Sequence, residues 1–176
     1  MTAVSLVDVK QHLNITSAAH DAELAGFVDT AQEVVEQLVG SVEPRSVIET
    51  FYRNGPVLLS TTPVLSITSV TEYGAVVDGS YYVLDGDELL RLDGRDWYGT
   101  LGAPLSVAYT AGRAYGQLPA AIAWGIKEQT AHLWRTTQSQ RGGRSRGEEP
   151  AAPIGYAMPN RVREVLAPYM LLPAVG

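Results

Sequence analysis

The sequence predicts an α+β fold: a helical bundle with an inserted small antiparallel β-sheet, followed by a flexible C-terminal arm. Three observations carry that expectation. Apolar residues recur at three-to-four spacing up to about residue 39 and again between about 118 and 136. Between them, over residues 46–111, β-branched and aromatic residues alternate and are punctuated by turn pairs. Beyond residue 137 the composition shifts to Gly, Arg, Ser and Glu, which bury too little apolar surface to order themselves.

The first helix is expected over 5–14. Ser5-x-x-Asp8 has the form of a capping box, Leu6, Val9 and Leu13 share one face, and Asn14 suits the end. The second is expected over 18–39. Leu24, Phe27, Val28, Ala31, Val34, Val35 and Leu38 form its apolar stripe. Asp21 and Glu23 complement its positive end, and Gly40 stands where a left-handed cap belongs. Val47 to Arg53 then reads as a strand entering an Asn54-Gly55 hairpin, with Val57 to Ser60 returning. Pro63 opens a further strand through Val64, Ile67 and Val70. Asp78-Gly79 and Asp85-Gly86 are turns around Tyr81, Tyr82 and Val83. Leu89, Leu90 and Leu92 form the next strand, and Leu105, Val107 and Tyr109 alternate as the last. All of 46–111 reads as one sheet.

Pro119 fits the first turn of a helix over 118–136. Ile122, Ile126, Leu133 and Trp134 mark its buried side, and Lys127, Glu128 and Arg135 are expected outside. The organisation is therefore a domain over 1–137 and an arm over 138–176. The arm holds a short helix, Arg161 to Leu166, entered after Pro159 and followed by Pro168 and Pro173.

Composition excludes several classes of function. With no cysteine there is neither a disulfide nor a thiolate metal site. Met1 to Val9 lacks the pattern of a secretory signal, and no apolar run approaches the roughly 18 residues of a membrane span. A net charge of −6 gives no general attraction to DNA. His12, His20 and His132 form no metal-ligand spacing, and Leu89 stands where an acidic calcium loop needs an oxygen ligand. Arg141-Gly142-Gly143-Arg144-Ser145-Arg146 is one short basic copy closed by Glu148 and Glu149, more in keeping with a solvated loop than an RNA-binding tract. No phosphate loop or nucleophile elbow is present, so neither catalytic residues, nor a metal, nor a cofactor is expected, and the chain reads as a non-enzyme. Tyrosine and tryptophan, by contrast, are plentiful for one small sheet, which suits subunit contacts.

The order of these elements resembles the head–tail connector family of long-tailed bacteriophages, the head-completion adaptors. Four stretches carry the likeness: Ser5 to Leu13, Asp21 to Gly40, Pro63 to Val70, and Val107 to Gly112 with Leu118 to Ile122. The resemblance spans roughly residues 4–136. It implies a structural virion protein at the head–tail interface, assembled in the host cytoplasm. Such a protein forms a homo-oligomeric ring, typically dodecameric, beneath the portal protein. The ring extends the DNA channel, through which the genome passes without specific binding, and presents a docking surface to the next connector or tail component. A tail-completion or stopper protein is the nearest alternative. A small nucleic-acid-binding module using the Arg-Gly tract is a more distant one.

The candidate partner-binding residues lie in the arm. Arg161, Val162, Glu164, Val165 and Leu166 make about two helical turns, too few to be stable alone. Tyr169, Met170, Leu171 and Leu172 then leave an apolar tip that must pack somewhere. Arg161, Val165, Tyr169, Met170, Leu171 and Leu172 are the residues expected to dock onto the portal. The competing expectation is that the tip folds back onto its own helices.

Overall fold

The computed structural model describes residues 3–141 and 158–171. The fold is α+β, with four α-helices and two small antiparallel sheets. The chain divides into two compact units, Met1–Val39 with Leu118–Gly176, and Gly40–Gln117, so the β-rich part is an insertion between helices.

The helical unit begins with α1, Leu6–Leu13. Ser5 is its N-cap in extended conformation, and its hydroxyl oxygen accepts from the Asp8 amide at 3.1 Å. Asn14 closes it in the left-handed region, φ 56°, donating to the carbonyls of Gln11 and Lys10. Helix α2 runs Asp21–Val39. It starts three residues later than the stripe suggested, because Ser17 to His20 forms a turn in which the Ser17 hydroxyl accepts from Ala19. Leu24, Val28, Ala31, Val35 and Val39 are its buried face, while Phe27, Val34 and Leu38 are half-buried at the margins.

Helix α3, Ala120–Arg141, extends beyond the expected end at 136. It packs against α1, α2 and the last helix, α4, Asn160–Leu166. Three neighbours bury more than one stripe of it. Ile122, Ile126, Ala131 and Leu133 are buried as apolar residues, and Glu128, Gln129 and Thr130 are buried as polar ones. The expectation that Glu128 faces solvent is therefore corrected: it is only 5% exposed, enclosed by contacts from α1 and α4. Trp134 is half-buried and meets Phe27 and His20 edge-on, at centroid distances of 6.4 and 5.3 Å.

The inserted unit holds two sheets rather than the single one expected. Strands β1 Arg45–Phe51, β3 Val64–Glu72, β4 Ala75–Val77 and β7 Leu105–Ala111 form a four-stranded sheet in the order β1-β7-β3-β4. Strands β2 Val57–Leu58, β5 Tyr82–Asp85 and β6 Glu88–Arg91 form the other, in the order β2-β6-β5. The hairpin expected at Asn54-Gly55 does not form. β1 pairs along its whole length with β7, Arg45 opposite Ala111 through Phe51 opposite Leu105, and β2 pairs with β6. A seven-residue ladder on β7 outweighs the two-residue ladder that β2 offers, and Pro56 supplies no amide to a β1–β2 ladder. Asn54 and Gly55 still turn the chain, accepting from Gly99 and donating to Trp97. The Asp85-Gly86 turn joins β5 to β6 as expected, whereas Asp78 caps a single 3-10 turn through Ser80.

One apolar core serves both sheets. Val57, Leu59, Leu89 and Trp97 meet Val70, Leu105, Val107, Tyr109 and Ala111. Trp97 is 3% exposed and donates its indole N–H to the Leu89 carbonyl at 2.7 Å, while the Arg91 guanidinium lies 4.8 Å from its ring centre. That guanidinium is fixed by Glu72 at 2.6 Å and Asp93 at 2.7 Å. Tyr109 donates to Glu49, which also accepts from the amides of Ser60 and Thr61. Burial pushes the Glu49 carboxyl up, but these donors outweigh it and hold the group below the usual carboxylate range.

Two glycines separate backbone need from chance. Gly112 has φ +112°, and an added Cβ would stand 2.0 Å from the Glu43 carbonyl oxygen; Gly26, inside α2, has open space around it. Gly112→Ala should lower stability by more than about 2 kcal/mol through strain and displacement. Gly26→Ala should raise it by about 0.5–1 kcal/mol through helix propensity. Urea unfolding of both variants checks the pair, and equal shifts would contradict it.

Candidate functional site

The sequence places its candidate site in the C-terminal segment, and the structure describes all of the six candidate residues but Leu172. Helix α4 has only seven residues, with Pro159 before it and no side-chain cap. Its stability comes from packing. Val162 and Leu166 are both fully buried, each such burial contributing about 1.5–3 kcal/mol. Gly125 of α3 makes the seat: a Cβ there would lie 3.1 Å from a Leu166 methyl carbon. A 3-10 turn, Ala167–Tyr169, follows, and the Leu171 amide donates to the Leu38 carbonyl at 2.8 Å, fastening the end of the segment to α2.

A buried carboxylate holds the other end. The Arg161 guanidinium contacts Glu128 Oε1, Arg135 stands 3.6 Å from the same atom, and His12 Nε2 lies 3.0 Å from Oε2. Glu128 thereby ties α1, α3 and α4 together. Burial lowers the His12 pKa below 6.5, and the charges of Lys127, Arg135 and Arg161 lower it further. The imidazole is thus neutral at pH 7, and its Nε2–H form is the one that donates to Glu128. The two guanidinium groups supply the neutralising charge.

The six docking candidates fall into different environments. Arg161 is engaged with Glu128. Val165 and Leu171 are exposed, at 38% and 45%, and Tyr169 and Met170 are half-buried. Leu172 lies outside the described residues, as does the Arg-Gly tract beyond Arg141. Val162 and Leu166 are packed in the helical unit. The outward residues Val165 and Leu171, with part of Tyr169, remain available on the surface. Sequence reasoning missed Glu128 and Gly125. The available signal was the density of small residues in α3, Ala120, Ala121, Ala123, Gly125 and Ala131, which marks a helix approached from several sides.

Among the described residues, no group of His, Asp and Glu is placed to hold a metal ion, and no helix is long and apolar enough to cross a membrane.

No protein-family model matches the sequence, and no match is found among curated proteins. Solved structures do resemble it. The chain superposes on a protein from the neck of a native GTA (gene transfer agent) particle, computed with C12 symmetry, with a TM-score of 0.68 and 18% identity, covering 99% of this chain and 92% of that one. A chain from the neck of an empty GTA particle, computed with C6 symmetry, gives a TM-score of 0.67 at 18% identity, covering 99% and 93%. At this identity the likeness is one of fold, and it extends over the whole length of both partners.

Gly125→Leu should unseat α4. Hydrogen exchange across 160–169 would then quicken while the buried turns of α3 stay protected, and unchanged exchange would refute the seat. The lowered His12 pKa has its own signature. Its contribution to stability is complete above about pH 6.5 and is lost as pH falls through the lower folded value. His12→Asn should flatten the melting-temperature profile in that window, and NMR titration of His12 should give a value under 6.5.

Proposed function

We propose that this chain is a structural neck component of a phage-like particle, an adaptor that forms a ring beneath the portal. The ring extends the DNA channel and offers its free side to the next connector or tail protein. The observation that carries the reading is the end-to-end likeness of fold to neck proteins from a particle computed with twelvefold symmetry. The chemistry agrees with it. The chain's net charge of −6 lets DNA pass without being retained through counterion release. The mechanism is then assembly. Identical subunits meet head to tail, and the rotation between them closes the ring.

The C-terminal segment is the proposed portal contact. Val162, Leu166 and Glu128 set its position, and the exposed Val165 and Leu171 with the half-buried Tyr169 and Met170 meet the partner, with Arg161 held by Glu128 at the base. Deleting residues 160–176 would confound the test, because it strips Val162 and Leu166 from the core. A surface change is cleaner. Val165→Glu with Tyr169→Ala should change stability by less than about 1 kcal/mol yet leave heads uncompleted. Normal completion by this variant would refute the docking role. The unaltered chain should be monomeric by light scattering at micromolar concentration and enter a ring when portal-bearing heads are added. A chain that enters no ring under either condition would overturn the adaptor reading.

A further inference from the structure

The outer face of the four-stranded sheet carries no ionisable side chain. Strand pairing puts Ser106, Ala108 and Thr110 of β7 on that face, opposite the side on which Leu105, Val107, Tyr109 and Ala111 join the core. Ile48 faces outward beside Ala108, and Val76 beside Thr71 in the row of Ser106. Both are 73% exposed. The remaining paired positions of the face, on β1 and β3, are Ser and Thr, with the exposed Leu65 in the bulge between Val64 and Ser66. The result is a floor of small side chains with a β-branched hydrophobe standing at each margin. The carboxylates of this unit lie elsewhere: Glu49 and Glu72 on the inner side of the sheet, Asp85, Asp87 and Glu88 on the β5–β6 hairpin, and Glu43, Asp78, Asp93 and Asp96 outside the strands.

We infer that this face is the surface that receives a second copy of the chain, its neighbour in the ring; the inference rests on the ring reading above. Charge is the first argument. Each copy carries −6, so copies repel one another, and like charges brought into a contact disfavour it further. A face without carboxylates adds no like-charge juxtaposition of its own to that repulsion. Area is the second. Three strands about 4.8 Å apart, each with about seven paired residues at about 3.3 Å, and a fourth of three residues give roughly 380 Å². A standard stable interface needs about 800 Å² per partner. This face is too small to hold an isolated pair. It suffices for a contact completed when each copy is held on two sides by ring closure and positioned by a template. The contact is heterologous, since pairing of the face with itself would give closed dimers instead of a ring.

The chain has no cysteine, so single-cysteine variants report cleanly. Full-length Ile48→Cys and Ser106→Cys would be treated with a maleimide, free and after joining portal-bearing heads. Assembly should slow labelling at least tenfold at both positions. Benzophenone-maleimide on Ile48→Cys, irradiated in the assembled particle, should give an adduct of twice the mass of one chain. Mixing isotopically light and heavy copies would show that the adduct joins two molecules. Ile48→Asp should leave the free chain's melting temperature unchanged and reduce its entry into heads at least tenfold. A ring in which both cysteines label at their free rates overturns this inference and leaves the adaptor reading standing. So does an adduct only with another particle component, whether portal, tail protein or DNA. Absence of any ring overturns both.

Discussion

The inserted unit depends on the strict alternation of β7. Leu105, Val107, Tyr109 and Ala111 turn inward and are all but inaccessible, while Ser106, Ala108 and Thr110 turn outward. Both β1 and β3 hydrogen-bond to this one strand, so its period of two sets which of their residues enter the core. β3 meets it only by making two irregularities, between Val64 and Ser66 and between Ile67 and Ser69, which restore Ile67 and Val70 to the inner side. Tyr109 adds a polar anchor, its hydroxyl accepting from the Thr61 amide at 3.1 Å and donating to Glu49. A slip of β7 by one residue would expose that network and bury hydroxyls in its place.

In the helical unit a single buried carboxylate has the comparable place. Glu128 is surrounded by groups from two other helices and by Arg135 from its own. A buried carboxylate is costly to desolvate, and contacts of this kind define position more than they add stability. Here the position defined is that of a seven-residue helix that could not persist in water alone. The short helix is held at its apolar seat on Gly125, with Val162 and Leu166 against α3 and Val165 exposed.

Much of this was legible in the residues. The Ser5 cap, the left-handed Asn14 and Gly40, the stripe of α2 and the short last helix all follow from local chemistry, and local chemistry is what sequence patterns encode. The division into two sheets was not, because strand partners are chosen by non-local competition: Asn54-Gly55 signals a turn but cannot say that β7 is the better partner for β1. The β3–β4 hairpin was hidden for another reason. Its turn is Tyr73-Gly74, with Tyr73 at φ 52°, a conformation tyrosine rarely adopts and one its side chain does not advertise. Tyr73 stacks on Tyr98 at 6.5 Å, a tertiary contact that accompanies the strained backbone. In the candidate site, Arg161, Val165 and the apolar tip were visible as an unsatisfied segment. Glu128 was not, since a charged residue in a helix reads as exposed unless its partners from other elements are known.

The arrangement also fixes an order of events at the ribosome. In the four-stranded sheet only the β3–β4 hairpin is local; β1 waits for β7, and Arg45 cannot pair until Ala111 has been made. The helical unit waits longer, since α1 and α2 need α3, which ends at Arg141. At about 5–20 residues per second, several seconds separate synthesis of β1 from that of its partner. Throughout that interval a strand containing Val47, Ile48 and Phe51 hangs from the nascent chain unpaired. Neither unit can be completed piecemeal: the inserted one waits for Ala111, and the helical one waits for α3 and α4.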